Sequence, residues 1–336
     1  MQQCITPLLY QHIILRTAIA LQSLSSQLIT SYSTDHGSHA RTLVLKIRSP
    51  SHDHLSNVLT LLVHMPYLRK FSTELQVTPN ELSVLARTCG ATLQSCNIPL
   101  LDEGRTTISA LERLSSFSSL QALEVFAMWP SYADDIDYIN STFTIPSLKR
   151  LSLRTIGPSS CINFLLYSHL PALVSLELHF QFLDEFFFHA LETFLQHHPH
   201  IANLTLNAID DWTEQILGIP MSPTFLTFAG GIPSMRTLER IPASVHAIAL
   251  RECEWTGRLW EFMQVLLLAL PGTTLREIWV SLPEGFSWSL FAAVSLSDEH
   301  ALFFGKMLYY AQRLRMRGLE LLDESGETMN AAFPAH

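Results

Sequence analysis

Three histidines close together in the sequence, His197, His198 and His200, are of the type that binds zinc through imidazole nitrogen. No cysteine or carboxylate stands at ligand spacing around them. They fall between the end of a predicted helix and the start of a predicted strand, where a histidine interacts favourably with the helix dipole. The sequence therefore favours decoration of a helix C-terminus over a metal site.

Three aspartates, Asp134, Asp135 and Asp137, could hold Mg²⁺ or take part in general acid/base chemistry. Their spacing lacks the glycine and the terminal glutamate of a calcium-binding loop, so a solvated loop insertion is the favoured interpretation. The motifs of serine hydrolases, phosphate-binding loops and dinucleotide-binding folds do not occur, and Gly305-Lys306 has no glycine-rich loop before it. We therefore predict a non-catalytic chain that binds neither a cofactor nor a metal, with an enzyme as the weaker alternative.

The positions of the apolar residues are periodic along the whole chain. A triplet of the form Leu-x-x-Leu-x-Leu recurs, and between residues 43 and 204 its middle residue advances in steps of 25 to 28. A step of 44 residues follows, and we expect it to contain a degenerate unit around Phe225, Phe228 and Gly230-Gly231. The clear triplets begin at Leu120, Leu148, Leu173, Ile201, Val245 and Leu275, and the weaker ones at Ala40, Leu68, Leu93 and Met316.

Each triplet predicts a short strand with one buried face, because its last two apolar residues alternate with other residues. The stretches between triplets predict helices. Thr78-Pro79-Asn80-Glu81 forms a capping box with proline at the first helical position, and Gly90 is placed to end that helix. Similar helices are predicted from Asp184 to Pro199, from Arg258 to Pro271 and from Ser297 through Ala311.

A strand and a helix in every repeat predict an α/β leucine-rich-repeat solenoid, with a curved parallel sheet inside and the helices on the outer face. The repeats are irregular, since only Cys253 obeys the consensus for Asn or Cys three residues after the third apolar position. We predict one domain over 1–336. Its parts are a helical N-terminal cap at 1–39, repeats at 40–289, and a C-terminal helix, last strand and tail at 290–336.

The residues that flank each inward leucine are predicted to point to the concave face of the sheet. This strip mixes charged, amide and aromatic side chains, which are the types that anchor protein or peptide partners. The alternative interpretation is the ordinary solvated face of a sheet. The predicted binding residues are Arg150, Arg154, Glu177, His179, Asn207, Arg251 and Trp279.

Composition limits the classes of partner. The net charge is −9 with only 21 Lys and Arg residues, which argues against nucleic-acid binding. Hydrophobic residues make up 48% of the chain, yet no run approaches the roughly 18 to 20 apolar residues of a membrane span. The five cysteines fit neither a disulfide framework nor a zinc site, so we expect reduced core residues. A signal peptide would require a basic residue before the first apolar stretch, and none is present there. We therefore predict a cytoplasmic or nuclear protein.

Two segments resemble fungal F-box/leucine-rich-repeat proteins. Residues 7–16 (PLLYQHIILR) are similar to the stretch just after the F-box, and residues 194–206 (FLQHHPHIANLTL) show the recurring succession of helix, proline and strand. The resemblance is diffuse over nearly the whole chain. It implies a substrate-recognition region of a ubiquitin-ligase receptor, although the F-box itself is not found.

The function predicted from these observations is a protein-binding scaffold with its partner on the concave face. Delivery of that partner for ubiquitination would require a Skp-type adaptor, which binds only if an F-box is supplied upstream. The alternative is a structural or regulatory scaffold without ligase coupling.

Overall fold

The computed structural model describes residues 10–30, 36–47, 53–100, 112–127, 142–155, 165–180, 185–207, 210–251, 257–269, 274–281, 287–288 and 298–329. Within it the chain divides into two compact units, Met1–His198 and Pro199–His336. The aspartates at 134, 135 and 137 lie outside the described residues. The single domain over 1–336 stays a prediction.

The first unit contains a parallel sheet with its strands in the order β1-β2-β3-β4-β5-β7-β9. The strands are β1 (His12–Leu15), β2 (Thr42–Leu45), β3 (Lys70–Thr73), β4 (Ser95–Leu100), β5 (Ala122–Ala127), β7 (Arg150–Thr155) and β9 (Ser175–Phe180). A separate short parallel pair joins β6 (Phe143–Thr144) to β8 (Ser168–His169). The helices are α1 (Ala18–Thr30), α2 (Asp53–Val63), α3 (Pro79–Cys89) and α4 (Glu185–His197), with a 3₁₀ turn at His36–His39.

The second unit repeats the arrangement with five parallel strands in chain order. They are β10 (Asn203–Asn207), β11 (Phe225–Ala229), β12 (Ala247–Arg251), β13 (Glu277–Val280) and β14 (Glu320–Asp323). The helices of this unit are α5 (Asp210–Leu217), α6 (Met235–Glu239), α7 (Gly257–Ala269) and α8 (Asp298–Arg315).

The strand register confirms the predicted α/β leucine-rich-repeat fold. Among the clear triplets of the first unit, the middle residue of one pairs with the middle residue of the next, so that Leu123 is aligned with Leu151 and Leu151 with Leu176. These side chains are almost completely buried. In the second unit β11 lies between β10 and β12, which confirms the degenerate unit in the 44-residue step.

The helices cover the face of the sheet that carries the triplets. Val58 and Leu62 of α2 and Leu85 of α3 line the same apolar space as Phe71 of β3. The start of α3 forms as the sequence predicted, with the Thr78 backbone N–H donating to Glu81 Oε2 at 2.6 Å. Among the described helices, none combines the length and the apolar character that a membrane crossing requires.

Two cysteines contribute thiols to this core. Cys89 ends α3 and Cys96 is the middle residue of the triplet in β4; both are buried and free. Burial raises the pKa of each thiol to about 12, so neither is a reactive thiolate at neutral pH. The prediction of reduced core residues is confirmed for these two, while Cys4, Cys161 and Cys253 lie outside the described residues.

The N-terminal cap is not wholly helical as predicted. Residues His12–Leu15 form β1, which pairs in parallel with β2 and aligns Ile13 with Leu43. Ile13 and Leu15 are buried while His12 and Ile14 are exposed, because this short segment already has the alternation of a repeat strand. The helical part of the cap begins at Ala18.

The last predicted triplet was placed two residues too early. Leu321, rather than Leu319, is aligned with Ile278 of β13. The reason is the end of α8, where Gly318 has φ +79° and the Leu319 N–H bonds to the Leu314 carbonyl. This is a Schellman cap, so Leu319 closes the helix and Asp323 takes the third position of the triplet.

A ladder of hydroxyl groups joins neighbouring rungs, and the triplet pattern did not reveal it. In five rungs the residue before the first apolar position of the triplet is a Ser or Thr that donates to a backbone carbonyl of the preceding rung. Ser119 reaches Ala91 O at 2.7 Å, and Ser147 reaches Leu120 O at 2.8 Å. We call this set the hydroxyl ladder; its members are Thr92, Ser119, Ser147, Ser244 and Thr274.

We predict that Ser147→Ala lowers the free energy of unfolding by about 1 kcal/mol, the net value of one hydrogen bond. Ala172 occupies the same position in the β9 rung and has no hydroxyl. Ala172→Ser should therefore leave stability unchanged or raise it by up to about 1 kcal/mol. Urea unfolding of both variants measures the difference, and equal effects of the two substitutions would contradict a positional role for the hydroxyl.

The end of β14 holds a buried carboxylate. Asp323 Oδ1 accepts from the Ser325 N–H at 2.9 Å, the Ser325 hydroxyl at 2.6 Å and the Glu327 N–H at 3.0 Å. Its Oδ2 accepts from the Trp288 N–H at 3.1 Å. Burial alone would raise the pKa of Asp323, but these hydrogen bonds to the ionised form outweigh it and hold the pKa below 3.8.

Because that pKa is depressed, Asp323 stabilises the fold above pH 3.8, and this contribution is lost as the pH falls through the folded-state value. Asp323→Asn would place an amide N–H₂ against the Trp288 N–H and should cost about 1 to 3 kcal/mol at pH 7. Thermal unfolding measured as a function of pH should show that the difference in melting temperature between wild type and variant becomes smaller below pH 3.8. Glu324→Gln, at the exposed neighbour, is the matched control, and a gap that widens in acid would refute the assignment.

Candidate functional site

The face of the first sheet that points away from the helices carries side chains that are exposed or half-buried. The register places them in rows across the strands, one row holding Asn97, Glu124, Ser152 and Glu177 and the next holding Phe126, Arg154 and His179. We call this surface the open face of the first unit. The positioning follows from strand geometry, since residues two apart on a strand share a face and parallel register aligns them with the neighbouring strands.

Five of these side chains form a continuous polar network, which we call the polar ladder. Asn97 Nδ2 donates to Glu124 Oε2 at 2.6 Å, and Arg154 Nε lies 3.0 Å from Glu124 Oε1. The other end of the Arg154 guanidinium lies 3.4 Å from Glu177 Oε1, which also contacts His179 Nε2 at 2.5 Å. Arg154 therefore bridges two carboxylates from two different strands.

Two buried polar atoms, one in the polar ladder and one beside it, have no hydrogen-bond partner among the described residues. Ser152 lies between Glu124 and Glu177 in the register, and its Oγ is buried without a partner in the described part of the chain. Asn97 Oδ1 is in the same condition. A buried polar atom that lacks a partner costs free energy, so these two atoms are a local cost of packing the polar side chains closely on this face.

Arg150 lies at the other end of the same strand as Arg154. Its side chain is exposed, and it makes no ion pair or hydrogen bond with any residue that the structure describes. The guanidinium can therefore contact a partner without first breaking an internal contact.

The structure brings three predicted binding residues together, Arg154, Glu177 and His179, with Arg150 on the same face. Sequence reasoning did not choose Asn97 and Glu124, although both flank inward triplet positions. Asn97 lies within one of the weaker triplets, between Cys96 and Ile98, and Glu124 has no charge partner near it in sequence. The partner is Arg154, 30 residues later, and only the register reveals it.

The open face of the second unit carries an aromatic contact across its strands. Trp279 makes an edge contact with Phe225, with the ring centroids 6.2 Å apart, and its Nε1–H donates to Glu277 Oε2 at 2.9 Å. Ala247 and Ala249 of the intervening strand are buried, since small side chains let the two rings meet above them. The predicted binding residue Trp279 is thus half-buried by contacts within its own unit.

The other two predicted residues of the second unit lie at the ends of strands. Asn207 is packed against Gly230, where an added Cβ would lie 2.8 Å from Asn207 Oδ1. Gly230 has φ +72°, and its N–H donates to the backbone carbonyl of Arg251 at 3.0 Å. Asn207 therefore contributes to a glycine turn, whereas the Arg251 side chain is exposed.

The histidine cluster behaves differently at each position. His197 is exposed in the last turn of α4 and its Nδ1 contacts the Thr193 carbonyl, as expected for decoration of a helix end. His198 is buried, and its Nδ1 contacts the Phe194 carbonyl at 2.8 Å while its Nε2 accepts from the Leu170 N–H at 3.1 Å. These partners specify the neutral ring with its proton on Nδ1. In the parts of the chain that the structure describes, no three His, Cys, Asp or Glu side chains are grouped as metal ligands.

Comparison with known proteins gives a limited result. No protein-family model matches the chain, and no curated protein matches it. Among solved structures, the chain is similar to the leucine-rich repeat-containing protein LegL7 from Legionella pneumophila, with 12% identity, a TM-score of 0.41 and coverage of 94% of this chain and 92% of that one. The fold assignment rests on the register of this chain's own strands.

We predict that Arg154→Met lowers the free energy of unfolding by about 0.5 to 1 kcal/mol, because it leaves Glu124 and Glu177 without their shared cation. The expected loss is small because the Arg154 side chain is 51% exposed and solvent screens its charge. Arg150→Met is the matched control on the same strand and face, and it should have no measurable effect. In a double-mutant cycle, Glu124→Gln should recover part of the loss in Arg154→Met, and strict additivity would contradict the bridge.

Proposed function

We propose that the chain is a non-catalytic scaffold that binds a protein or peptide partner on the open face of the first unit. The observation that carries this proposal is the polar ladder, in which an arginine, two glutamates and an amide are held in fixed positions on a rigid sheet. Such a surface is preorganised, so a partner does not have to order it on binding. An open strip of this kind does not exclude water as a catalytic pocket must, which favours recognition over chemistry.

The composition of the surface supports a polar partner with complementary charge. Arg150 is unpaired among the described residues and Arg154 is half-exposed, so both can contact a carboxylate of the partner. Phe126, half-buried in the row of Arg154, adds an apolar contact beside them.

The finer proposal, drawn from the resemblance to fungal F-box/leucine-rich-repeat proteins, is a substrate receptor of a ubiquitin ligase in the cytoplasm or nucleus. In that role the open face holds the substrate, and a Skp-type adaptor couples the receptor to the ligase. The competing proposal is a structural or regulatory scaffold that uses the same face without ligase coupling.

Quantitative affinity purification of the tagged protein from its own cells tests these proposals together. We expect Arg150→Glu/Arg154→Glu to lose its main partner by about tenfold or more, since reversing charges at an interface costs several kcal/mol. The matched control is Arg87→Glu/Arg113→Glu, which makes the same charge change at two exposed arginines away from the strands of the sheet. Retention of every partner by the open-face variant would overturn the binding proposal. A Skp-type adaptor retained by all variants would support ligase coupling, and its absence would favour the uncoupled scaffold.

A further inference from the structure

A second surface, on helix α8 of the second unit, has a chemistry that the open face does not explain. Residues 300–319 contain four cations and no acidic residue, in a chain whose net charge is −9. The cations are Lys306, Arg313, Arg315 and Arg317, and all four side chains are exposed. Across the described residues none of them forms an ion pair with a carboxylate.

Large apolar side chains lie on the same exposed side of the helix. Leu302 is 66% exposed, Tyr309 is 51% exposed and Met316, just past the helix end, is 75% exposed. These three residues are spaced by seven, which is close to two helical turns, so they form one stripe that is roughly 21 Å long. Lys306 and Arg313 are also spaced by seven and run beside it. We call these five residues the α8 stripe.

The cations of the α8 stripe are held in place by aromatic rings. Lys306 Nζ lies 5.4 Å from the centroid of Trp260, which α7 contributes, and the Arg313 guanidinium lies 5.3 Å from the ring of Tyr309. Trp260 in turn stacks on Tyr310 with the centroids 5.7 Å apart. The stripe is therefore an ordered surface, with its charges in fixed positions.

Gly305 lies inside α8 between Leu302 and Tyr309, where a glycine weakens a helix relative to alanine. Among the described residues, an added Cβ at this position would meet no atom within 4 Å, so packing against that part of the chain does not require a glycine there. Glycine is suited to a position that another backbone approaches closely. The open space at Gly305 therefore leaves room for another backbone to approach the stripe closely.

We propose that the α8 stripe is a docking site for an acidic amphipathic helix of a protein partner. The seven-residue spacing of the apolar side chains matches the repeat by which two helices pack along a common seam, with charges beside the seam selecting the partner. The cations specify acidic residues beside the partner's apolar row. Gly305 provides the point of close approach.

A bilayer surface fits these observations less well. An interfacial helix buries a continuous apolar face in the lipid, whereas here Gly305 and Gln312 lie between the apolar residues and cations flank them. Lipid binding also gives no reason for a glycine in the middle of the stripe.

The test uses the full chain and a fluorescent three-heptad peptide, with leucine at the first and fourth heptad positions and glutamate at the fifth and seventh. This peptide is too acidic to pair with itself at neutral pH. Fluorescence anisotropy should show saturable binding that weakens with salt. Lys306→Glu/Arg313→Glu should weaken binding by about tenfold or more, and Arg236→Glu/Arg240→Glu, an equal charge change at exposed positions on and just after α6, should change it by less than about twofold.

Gly305→Ala separates docking from folding. It should raise the melting temperature, because alanine favours the helix, and yet weaken peptide binding by about fivefold or more, because the added methyl group obstructs close packing. Gln312→Ala, one heptad further on, should leave the affinity within about twofold of wild type. Circular dichroism of each variant checks that the fold is retained.

Several outcomes would overturn the proposal. They are an absence of saturable binding, equal losses in the two charge-reversal pairs, and undiminished binding by Gly305→Ala. A further contradicting outcome combines two results: the peptide does not bind, and the chain sediments with phosphatidylserine vesicles. If Lys306→Glu/Arg313→Glu abolishes that sedimentation, the stripe is a lipid-binding surface. Each outcome leaves the proposal for the open face of the first unit standing, because the substitutions do not touch it.

Discussion

The structure depends on one constraint, the alignment of equivalent inward side chains between successive parallel strands. Most strands contribute two buried apolar positions, and a shift by one residue would turn both of them to solvent. Leu151, for example, is aligned with Leu123 on one side and Leu176 on the other, and all three are almost completely buried. Because every rung buries its apolar face only with its neighbours and the helix layer, the register of one strand fixes that of the next.

That register also determines the chemistry of the open face. Arg154 bridges Glu124 and Glu177 because β7 lies between β5 and β9 with the three residues in adjacent rows. The same alignment in the second unit places two alanines of β12 between Phe225 and Trp279, and the result is an aromatic contact instead of an ion-pair network. The two units therefore present different surfaces while sharing one backbone pattern. The residues that differ are those which the buried core leaves unconstrained.

The sequence was a good guide wherever a pattern is local or strictly periodic. The triplets predicted the parallel strands, and the capping box at Thr78 predicted the start of α3. The sequence did not predict the role of Leu319, because a helix cap and a strand both use a buried leucine. Only the positive φ of Gly318 distinguishes the helix cap from the strand. The sequence also missed the contact of His198 with Leu170 and the pairing of Glu124 with Arg154, because both join residues about 30 positions apart whose types carry no periodic signal. The hydroxyl ladder corresponds in the sequence to a Ser or Thr before several triplets. Small polar residues are common at the starts of strands, so this feature alone does not predict a hydrogen bond to the preceding rung.

Departure from the repeat consensus has a physical consequence for the last described rung. Elsewhere the third triplet position is usually apolar, as at Val280, but in β14 it is Asp323. A final strand has backbone groups with no further rung to bond to, and such an edge must be covered or otherwise protected. Here the chain turns back after β14, Leu322 pairs with Thr328 in an antiparallel bridge, and the buried carboxylate binds the N–H groups of the turn and of Trp288. An apolar residue at position 323 would extend the core but leave those donors without an acceptor. The carboxylate at position 323 therefore stabilises the turn that covers the edge of β14 in the described part of the chain.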